Sequence, residues 1–539
     1  MFADLVLFNG KIVTVDENET IAEAVAVKDG RIVAVGADSE VLRIKGAATN
    51  SIDLKGKTVV PGFIDSHCHM ISTGLGNAAG NLDLSEEGGV QSISDLKSKI
   101  RERASKIPKG SWIVGIKEDD QKLSEKRHPT RWELDEAAPE HPVIVSTVGG
   151  HFSIVNSYSL KLAGVDKNTP DPEGGVFDRD PSTGELTGGV HEKARELFMP
   201  EGMLGKSLAR EEAAAGVKSI LEYNAAAGLT CVYDMAGGPE IRTVLDLMND
   251  GKLPIRVRVD VPVELFPEMN RLGIIQGLGN DWVRICGLKM FLDGAISART
   301  AAVSEPYLNR REYYGVFSIT REAARKYVSE AFREGVRLSI HANGDRAIEM
   351  CLDLIEEAKL SYDRPDLRDR IIHCTVVNRE IVDRIKKLRI LPTIFGAYAY
   401  YHGDKLIPAF GVERLERMFA ARWFLEAGIK VAAHSDHSAS PFSPLMGIHS
   451  LVNRVTKSGN PAGVSQRITV MDALKLYTIN AAYQSFDEGR LGSIEVGKLA
   501  DMVVLGRDLL TEPEDSIKDI PIDMTIVDGR IVYIKSSLY

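Results

Sequence analysis

Two histidines separated by one residue could bind a metal ion together. His67 and His69 lie in the segment PGFIDSHCH, which follows a stretch rich in valine. In a β-strand, residues i and i+2 point to the same face, so both imidazoles can contact one ion while Cys68 points away. A lone pair of this kind also arises by chance and is then structural. The pair therefore gains its meaning from the residues that accompany it further along the chain.

More residues of metal-binding type stand at or near the ends of later apolar segments. His341 follows RLSI, His373 follows RII and Asp436 follows VAAHS, while Lys289 has apolar neighbours in GLKMF. The strands of a parallel barrel converge at their carboxyl ends, where barrel enzymes carry their active sites. Four imidazoles, one carboxylate and one buried lysine at one mouth would bind zinc or a similar divalent ion.

The scaffold that must position these residues is indicated by alternating strand and helix patterns. Strand-like segments are VRICGLKMFLDG, VRLSIHANGD, RIIHCTVV, LRILPTIF and KVAAHSD. Between several of them, apolar residues recur with helical spacing, as in residues 321–334 and 346–359. Alternation over roughly 250 residues predicts an α/β fold of the (β/α)8 TIM-like barrel type.

The two ends of the chain resemble each other in composition. Residues 1–60 contain short valine- and isoleucine-rich segments separated by turn dipeptides such as Asn9-Gly10, and residues 485–539 repeat this style around Asp528-Gly529. We expect the two ends to pair into one small β-sandwich domain. Residues 61–484 are then expected to form the barrel.

One part of the barrel region does not fit a minimal strand–helix rhythm. Residues of about 75–225 include the turn-rich stretches HPTRWELDEAAPEHP and DKNTPDPEGGVFDRDPSTGELTGG. Long irregular segments in compact proteins are usually functional or disordered. We expect an insertion that covers the barrel mouth, the alternative being a surface excursion without a role.

Composition excludes several classes of protein. The 539 residues include 66 Lys+Arg and 76 Asp+Glu, and a net charge of −10 disfavours a general nucleic-acid binder. No uncharged apolar run approaches the length of about 18 residues that a membrane-spanning helix needs. The start of the chain does not have the pattern of a secretory signal. Five scattered cysteines make a disulfide framework improbable, so we expect a reducing cytoplasm.

Taken together, the motifs resemble the amidohydrolase superfamily of metal-dependent hydrolases. The resemblance is to the amidohydrolase family 3 branch, which includes N-substituted formamide deformylases. It covers nearly the whole chain in order. The segments that carry it are VLFNGKIVTVD, PGFIDSHCH, HPVIVSTVGGHFSIVNS, KMFLDGAISARTA, SIHANGDRAI, IIHC, AHSDHSASPFSPL, TINAAYQ and GRLGSIEVGKLADMVVL.

The resemblance implies a metal site built from residues of several strands. A divalent ion, Zn²⁺ above all, is the implied cofactor, in one or two copies, because some members use one metal and an unmodified lysine. The resemblance implies His67 and His69 as ligands from the first strand, and His341 and His373 as ligands from the fifth and sixth strands. It implies Lys289 as the lysine that bridges two metals when carboxylated. It implies Asp436 as a ligand that also shuttles a proton.

Each of these roles has a physical basis. An apolar setting lowers the pKa of a lysine, and only the neutral amine of Lys289 can capture carbon dioxide; the alternative is a buried lysine paired with a carboxylate. A metal lowers the pKa of bound water to about 7 and so supplies hydroxide. Asp436 can accept the proton of that water and return it to a leaving amine, the alternative being a turn or N-cap residue.

Residues of the mouth loops are candidates for contact with the substrate. His151 follows two glycines and matches a histidine typical of this branch, so we expect it to polarise the substrate or to stabilise the transition state. Asp293 and Arg346 could equally be turn residues, and His434 could tune the pocket or support the site. The further substrate-binding candidates are Glu192, Asp293, Arg299, Arg346, His402 and His437. The histidines interpreted as structural or surface residues are His128, His141, His191 and His449.

These features predict a hydrolase in which metal-activated hydroxide attacks the carbonyl of a small amide, formamide or cyclic amide. The bond cleaved would be a carbon–nitrogen bond other than a peptide bond. The same site could serve an ester or lactone hydrolase or a deaminase. A non-catalytic scaffold is a third alternative, although such relatives usually lose metal ligands. The expected partner is a small-molecule substrate, without nucleic acid or membrane, and the resemblance implies a homodimer.

Overall fold

A sheet of eight parallel strands forms the centre of the computed structural model. The described residues are 2–86, 88–148, 150–199, 208–274, 276–310 and 312–535. The strands, β1 to β8 in chain order, are Phe63–Cys68, Leu229–Met235, Arg256–Pro262, Val283–Phe291, Leu338–Ala342, Arg370–His373, Leu391–Phe395 and Ala432–His434. The Ser66 hydroxyl of β1 donates to the Ala433 carbonyl of β8 at 2.6 Å, so the two edge strands meet and the barrel is nearly closed. The predicted TIM-like barrel is confirmed.

Helices surround the barrel and bury its outer face. The predicted amphipathic helices are confirmed, at Arg321–Arg333 and Asp345–Ser361. In the first of these, Ala324 and Val328 are buried, and the helix begins where the Thr320 side chain accepts a hydrogen bond from the amide of Ala323. The other helices of this region are Met70–Ala78, Arg210–Ala226, Gly238–Asn249, Phe266–Arg271, Arg379–Leu388, Tyr398–Leu415, Ala421–Glu426, Pro444–Asn453, Val470–Leu476 and Ile479–Tyr483. Within the described ranges, no helix combines the length and apolarity needed to cross a bilayer.

Ion pairs fill the barrel near the amino-terminal ends of its strands. Nε of Arg258 lies 2.7 Å from a carboxylate oxygen of Asp487, which also pairs with Arg284. The guanidinium of Arg370 pairs with Asp260. Buried charges are tolerated only when they are paired in this way. Polar side chains thus hold the base of the barrel, while the opposite end carries the candidate chemistry.

The two ends of the chain join in sheets beside the barrel. One sheet consists of Leu5–Phe8, Ala24–Lys28, Arg31–Gly36 and Asn50–Asp53, next to the helix Asp38–Val41. The other consists of Lys11–Val13, Ile21–Ala22, Thr58–Pro61, Met502–Leu505, Ile522–Val527 and Arg530–Ile534. Val504 pairs with Val59 across the two chain ends, and the two sheets share one apolar core. The exact domain limits, 1–60 with 485–539 and 61–484, stay a prediction.

The chain between β1 and β2 forms a further sheet. Its strands are Leu82–Asp83, Ile113–Glu118, Val143–Thr147, Phe152–Val155, Gly175–Arg179 and Leu186–Glu192, and its helices are Ile93–Ala104, Arg131–Ala137 and Ser157–Ala163. The ring centre of His151 lies 5.1 Å from that of His341, so this sheet reaches the barrel mouth. Residues 87, 149 and 200–207 of the predicted insertion lie outside the described residues.

Candidate active site

Two imidazoles and a carboxylate meet where β1 and β8 end. Nε2 of His67 lies 3.4 Å and Nε2 of His69 lies 3.3 Å from Oδ1 of Asp436. The three possible ligand atoms all lie within 4.8 Å of one another. Two imidazole nitrogens and a carboxylate oxygen form a donor set that suits zinc and similar ions.

A second pair of imidazoles lies at the ends of β5 and β6. Nε2 of His341 lies 3.2 Å from the carbonyl oxygen of Gly294, and a proton donated there leaves the lone pair on Nδ1. That Nδ1 lies 3.0 Å from Nε2 of His373. Two nitrogens at this distance either share a proton in an N–H···N hydrogen bond or both direct their lone pairs at a cation beside them. The residues present therefore fit the divalent metal that the sequence predicts.

Lys289 lies between these two groups. Its Nζ is 3.0 Å from Nε2 of His67 and 4.8 Å from the centre of the Phe291 ring. Burial lowers the pKa of the lysine to about 7, although Asp436 and Asp260 act in the opposite direction. Within the described part of the chain its ammonium forms no ion pair with a carboxylate, so the alternative of a paired structural lysine is not observed.

The electrostatics of the site favour binding of a cation. Burial holds the pKa values of His67, His341 and His373 well below the usual value, which keeps their rings neutral. Burial raises the pKa of Asp436, but the hydrogen bond from His69 and the charges nearby lower it by more. The net pKa lies below its usual value, so the carboxylate is ionised. Neutral imidazoles and an ionised carboxylate are the protonation states that metal binding requires.

The backbone is strained at three residues of the candidate site. His373, Asp436 and Glu192 have φ angles of 74°, 52° and 48°. Residues other than glycine seldom adopt the left-handed region, and strain of this kind clusters at functional sites.

A cavity of about 480 Å³ lies between the barrel mouth and the inserted sheet. Its wall includes His67, His69, His151, Glu192, His341, His373 and Asp436. Nδ1 of His151 lies 2.8 Å from Oε2 of Glu192. Burial lowers the pKa of His151, but Glu192 raises it more, and the net shift is upward. Glu192 thus raises the pKa of a histidine at the wall of a cavity that also contains the candidate metal ligands.

The structure separates the remaining substrate-binding candidates from this cavity. Asp293 is buried, and its carboxylate accepts hydrogen bonds from the amides of Ala302, Asn343 and Gly344. It therefore shapes the loops after β4 and β5, and its role in binding substrate stays a prediction. Of the six candidates, Glu192 is the one found among the described residues that line the main cavity.

Three of the others lie on two smaller cavities nearby. Arg299 and His402 line a cavity of about 80 Å³, where the His402 ring contacts the carbonyl of Ala439 at 2.9 Å. His437 lines an apolar cavity of about 230 Å³ beside Phe442. Their roles in binding substrate stay predictions.

Arg346 lies outside the mouth. Its guanidinium is 5.2 Å from the centre of the Phe317 ring, in a surface groove. Its substrate-binding role also stays a prediction.

Three cationic residues of the main cavity were not found by sequence reasoning. They are Lys117, Lys193 and Arg195, which line its wall. Nε of Arg195 donates to the hydroxyl of Ser153 at 2.9 Å. All three lie in the inserted sheet or just after it, where no local pattern marks a residue as functional.

Comparison with known proteins identifies the family. The model of a family described as the amidohydrolase family matches residues 50–533. The chain belongs to the amidohydrolase family. This confirms the predicted resemblance, and the amidohydrolase is accordingly a metal-dependent hydrolase of the class that acts on carbon–nitrogen bonds.

Individual relatives match this amidohydrolase over almost its whole length. The N-substituted formamide deformylase of Arthrobacter pascens is 30% identical over 545 residues, which are 98% of this chain and 98% of the relative. Protein LONG AFTER FAR-RED 3 of Arabidopsis thaliana is 30% identical over 547 residues, 98% of this chain and 92% of the relative. A crystal structure of an uncharacterized metal-dependent hydrolase from Pyrococcus horikoshii superposes with a TM-score of 0.75 at 26% identity, covering 95% of this chain and 99% of the other.

Proposed function

We propose that the protein hydrolyses the carbon–nitrogen bond of a small amide, formamide or cyclic amide. The observation that carries this proposal is the meeting of His67, His69 and Asp436 below a cavity that His151 also lines. The similarity to an N-substituted formamide deformylase over 98% of the chain supports an amide as the substrate class.

The metal is proposed to be Zn²⁺, as one or two ions. His67, His69 and Asp436 would hold one ion, and His341 with His373 would hold a second. A divalent ion at this place supplies Lewis acidity and lowers the pKa of bound water to about 7.

Lys289 is proposed to be carboxylated. The neutral Nζ forms a bond to the carbon of carbon dioxide and releases one proton, which leaves a carbamate with a negative charge. Burial of Lys289 and the absence of an ion pair to it among the described residues favour this modification over a plain lysine.

The residues of the chain divide the proton chemistry between them. Asp436 is proposed to take up a proton at a carboxylate oxygen and to deliver it to the departing nitrogen. His151 is proposed to donate a hydrogen bond to the carbonyl oxygen of the substrate, where negative charge develops. Glu192 is proposed to orient His151 and to favour its protonated form through the 2.8 Å contact at Nδ1.

Two properties of the whole protein are also proposed. A cytoplasmic location fits the five cysteines, which are buried free thiols. A homodimer follows from the family resemblance and stays a prediction.

A matched panel of substrates tests the reaction. Formamides, other small amides, cyclic amides, esters and amino-heterocycles are assayed with the wild type and with Asp436→Asn. We expect turnover of at least one amide class, lowered in the variant by about 10²–10⁴-fold with the metal retained. Turnover of esters or amino-heterocycles alone, or an unimpaired variant, would contradict the proposal.

A further inference from the structure

His434 makes a contact that no role described so far requires. It lies at the end of β8, two residues before Asp436, and is fully buried. Its Nε2 is 3.3 Å from Nδ1 of His373, and the other ring nitrogen of His373 faces His341 at 3.0 Å. His434 therefore contacts the one nitrogen of His373 that does not point toward the candidate metal site.

We propose that His434 is a positioning residue, which fixes His373 in the tautomer that can bind a metal ion. The inference rests on the proposed function insofar as it takes His373 as a ligand. It concerns a residue that does not itself contact the ion or the substrate.

The direction of the hydrogen bond carries the argument. A neutral imidazole bears one proton, and a metal ligand must present a lone pair. If Nε2 of His373 is the ligand atom, its proton is on Nδ1 and is donated to Nε2 of His434. With the opposite direction, the proton of His373 would be on Nε2, between the ring and His341, and would block the ligand atom.

Packing against Phe395 holds both imidazole rings in the orientation that this hydrogen bond requires. The ring of Phe395 stacks on His373 with a centroid distance of 4.6 Å and an interplanar angle of 12°. The same ring lies 4.5 Å from the ring of His434. Phe395 lies on β7, between the strands that carry the two histidines, so neither imidazole can rotate freely.

The arrangement has a cost that an apolar residue would not have. When Nε2 of His434 accepts, its proton is on Nδ1, and that buried nitrogen has no hydrogen-bond partner in the described part of the chain. A buried donor without an acceptor is destabilising. Since this buried nitrogen does not stabilise the fold, the contact with His373 is the feature that gives His434 a role.

The test compares two substitutions of His434 in the full chain. His434→Leu removes the acceptor, and His434→Gln retains an oxygen that can accept from His373. Zn²⁺ affinity is measured by competition with a chromophoric chelator, and the melting temperature is measured for the metal-free proteins. His449→Leu is the control, because it removes a buried histidine that does not line the cavity.

The substitution of His434 by Leu is expected to lower the metal affinity without lowering the thermal stability. His434→Leu is expected to weaken Zn²⁺ binding by about 10–100-fold, with a melting temperature of the apo-protein equal to or above that of the wild type. His434→Gln is expected to recover most of the affinity, and His449→Leu to leave it unchanged.

Three results would overturn the inference. The first is that His434→Leu binds Zn²⁺ as tightly as the wild type. The second is that His434→Gln binds Zn²⁺ as weakly as His434→Leu. The third is that His434→Leu is destabilised or fails to fold. A wild type that binds no Zn²⁺ would overturn the proposed function and this inference with it.

Discussion

Nζ of Lys289 lies 3.0 Å from Nε2 of His67, between two groups of candidate metal ligands. His67 belongs to the group that contains Asp436, and His341 with His373 forms the other. A neutral amine at this point can become a carbamate, whose two oxygens can serve both groups. We propose that the number of bound ions depends on the chemical state of this one side chain.

Lys289 is expected to carry a carbamate in the active protein. Burial lowers its pKa to about 7, so the neutral, reactive amine becomes more abundant as the pH rises from 6 to 8. Protein incubated with ¹³C-bicarbonate should give a carbamate carbon signal in the NMR spectrum. The signal should be absent in Lys289→Arg, whose guanidinium stays charged. A wild type without the signal, at full metal content and full activity, would refute carboxylation.

The pH profile of activity is expected to depend on Glu192. The carboxylate of Glu192 raises the pKa of His151, so protonated His151 is lost only as the pH rises through that elevated value. Glu192→Gln should move the alkaline limb of kcat/KM to lower pH, and loss of this donor should cost on the order of 10²-fold in rate. The exposed Glu136 provides the control substitution Glu136→Gln. An unmoved limb would exclude the proposed role of the pair.

The base of the barrel is expected to be sensitive to loss of Asp487. This buried carboxylate pairs with Arg258 at 2.7 Å and with Arg284, so Asp487→Asn leaves two guanidinium groups without their anion. We expect a loss of about 3–5 kcal/mol in the free energy of unfolding, measured with urea at pH 7. Glu140→Gln removes an exposed pair with Lys109 and should cost less than about 1 kcal/mol. Equal effects of the two substitutions would contradict this account.

Asp487 also makes the free energy of unfolding depend on pH. Burial raises the pKa of Asp487, but the charges of Arg258 and Arg284 lower it by more, so the net pKa lies below its usual value. The ionised carboxylate of Asp487 therefore contributes fully to the free energy of unfolding above its unfolded-state pKa. This contribution is lost as the pH falls through its folded-state pKa. Asp487→Asn should show a smaller loss of stability than the wild type when the pH is lowered below 4.

Sequence periodicity predicted the barrel and the residues at its mouth because both depend on local pattern. Alternation along a strand placed His67 and His69 on one face, and strand ends are where a barrel gathers its side chains. The positions of His341, His373 and Asp436 followed from the same rule.

Loop residues could not be placed in this way. Whether Asp293 faces the substrate or binds backbone amides depends on the path of two loops, which no periodicity encodes. Arg195 lines the cavity because of the way the inserted sheet packs on the barrel. Long-range packing of this kind leaves no signal in the order of neighbouring residues.

The most direct test of the account is a metal titration of the apo-protein. Protein stripped with a chelator is titrated with Zn²⁺ while amide hydrolysis and bound metal per chain are measured together. We predict that the apo-protein is inactive and that activity returns in proportion to metal, saturating at one or two ions per chain. Full activity of a protein shown to be free of divalent metal would contradict the central claim.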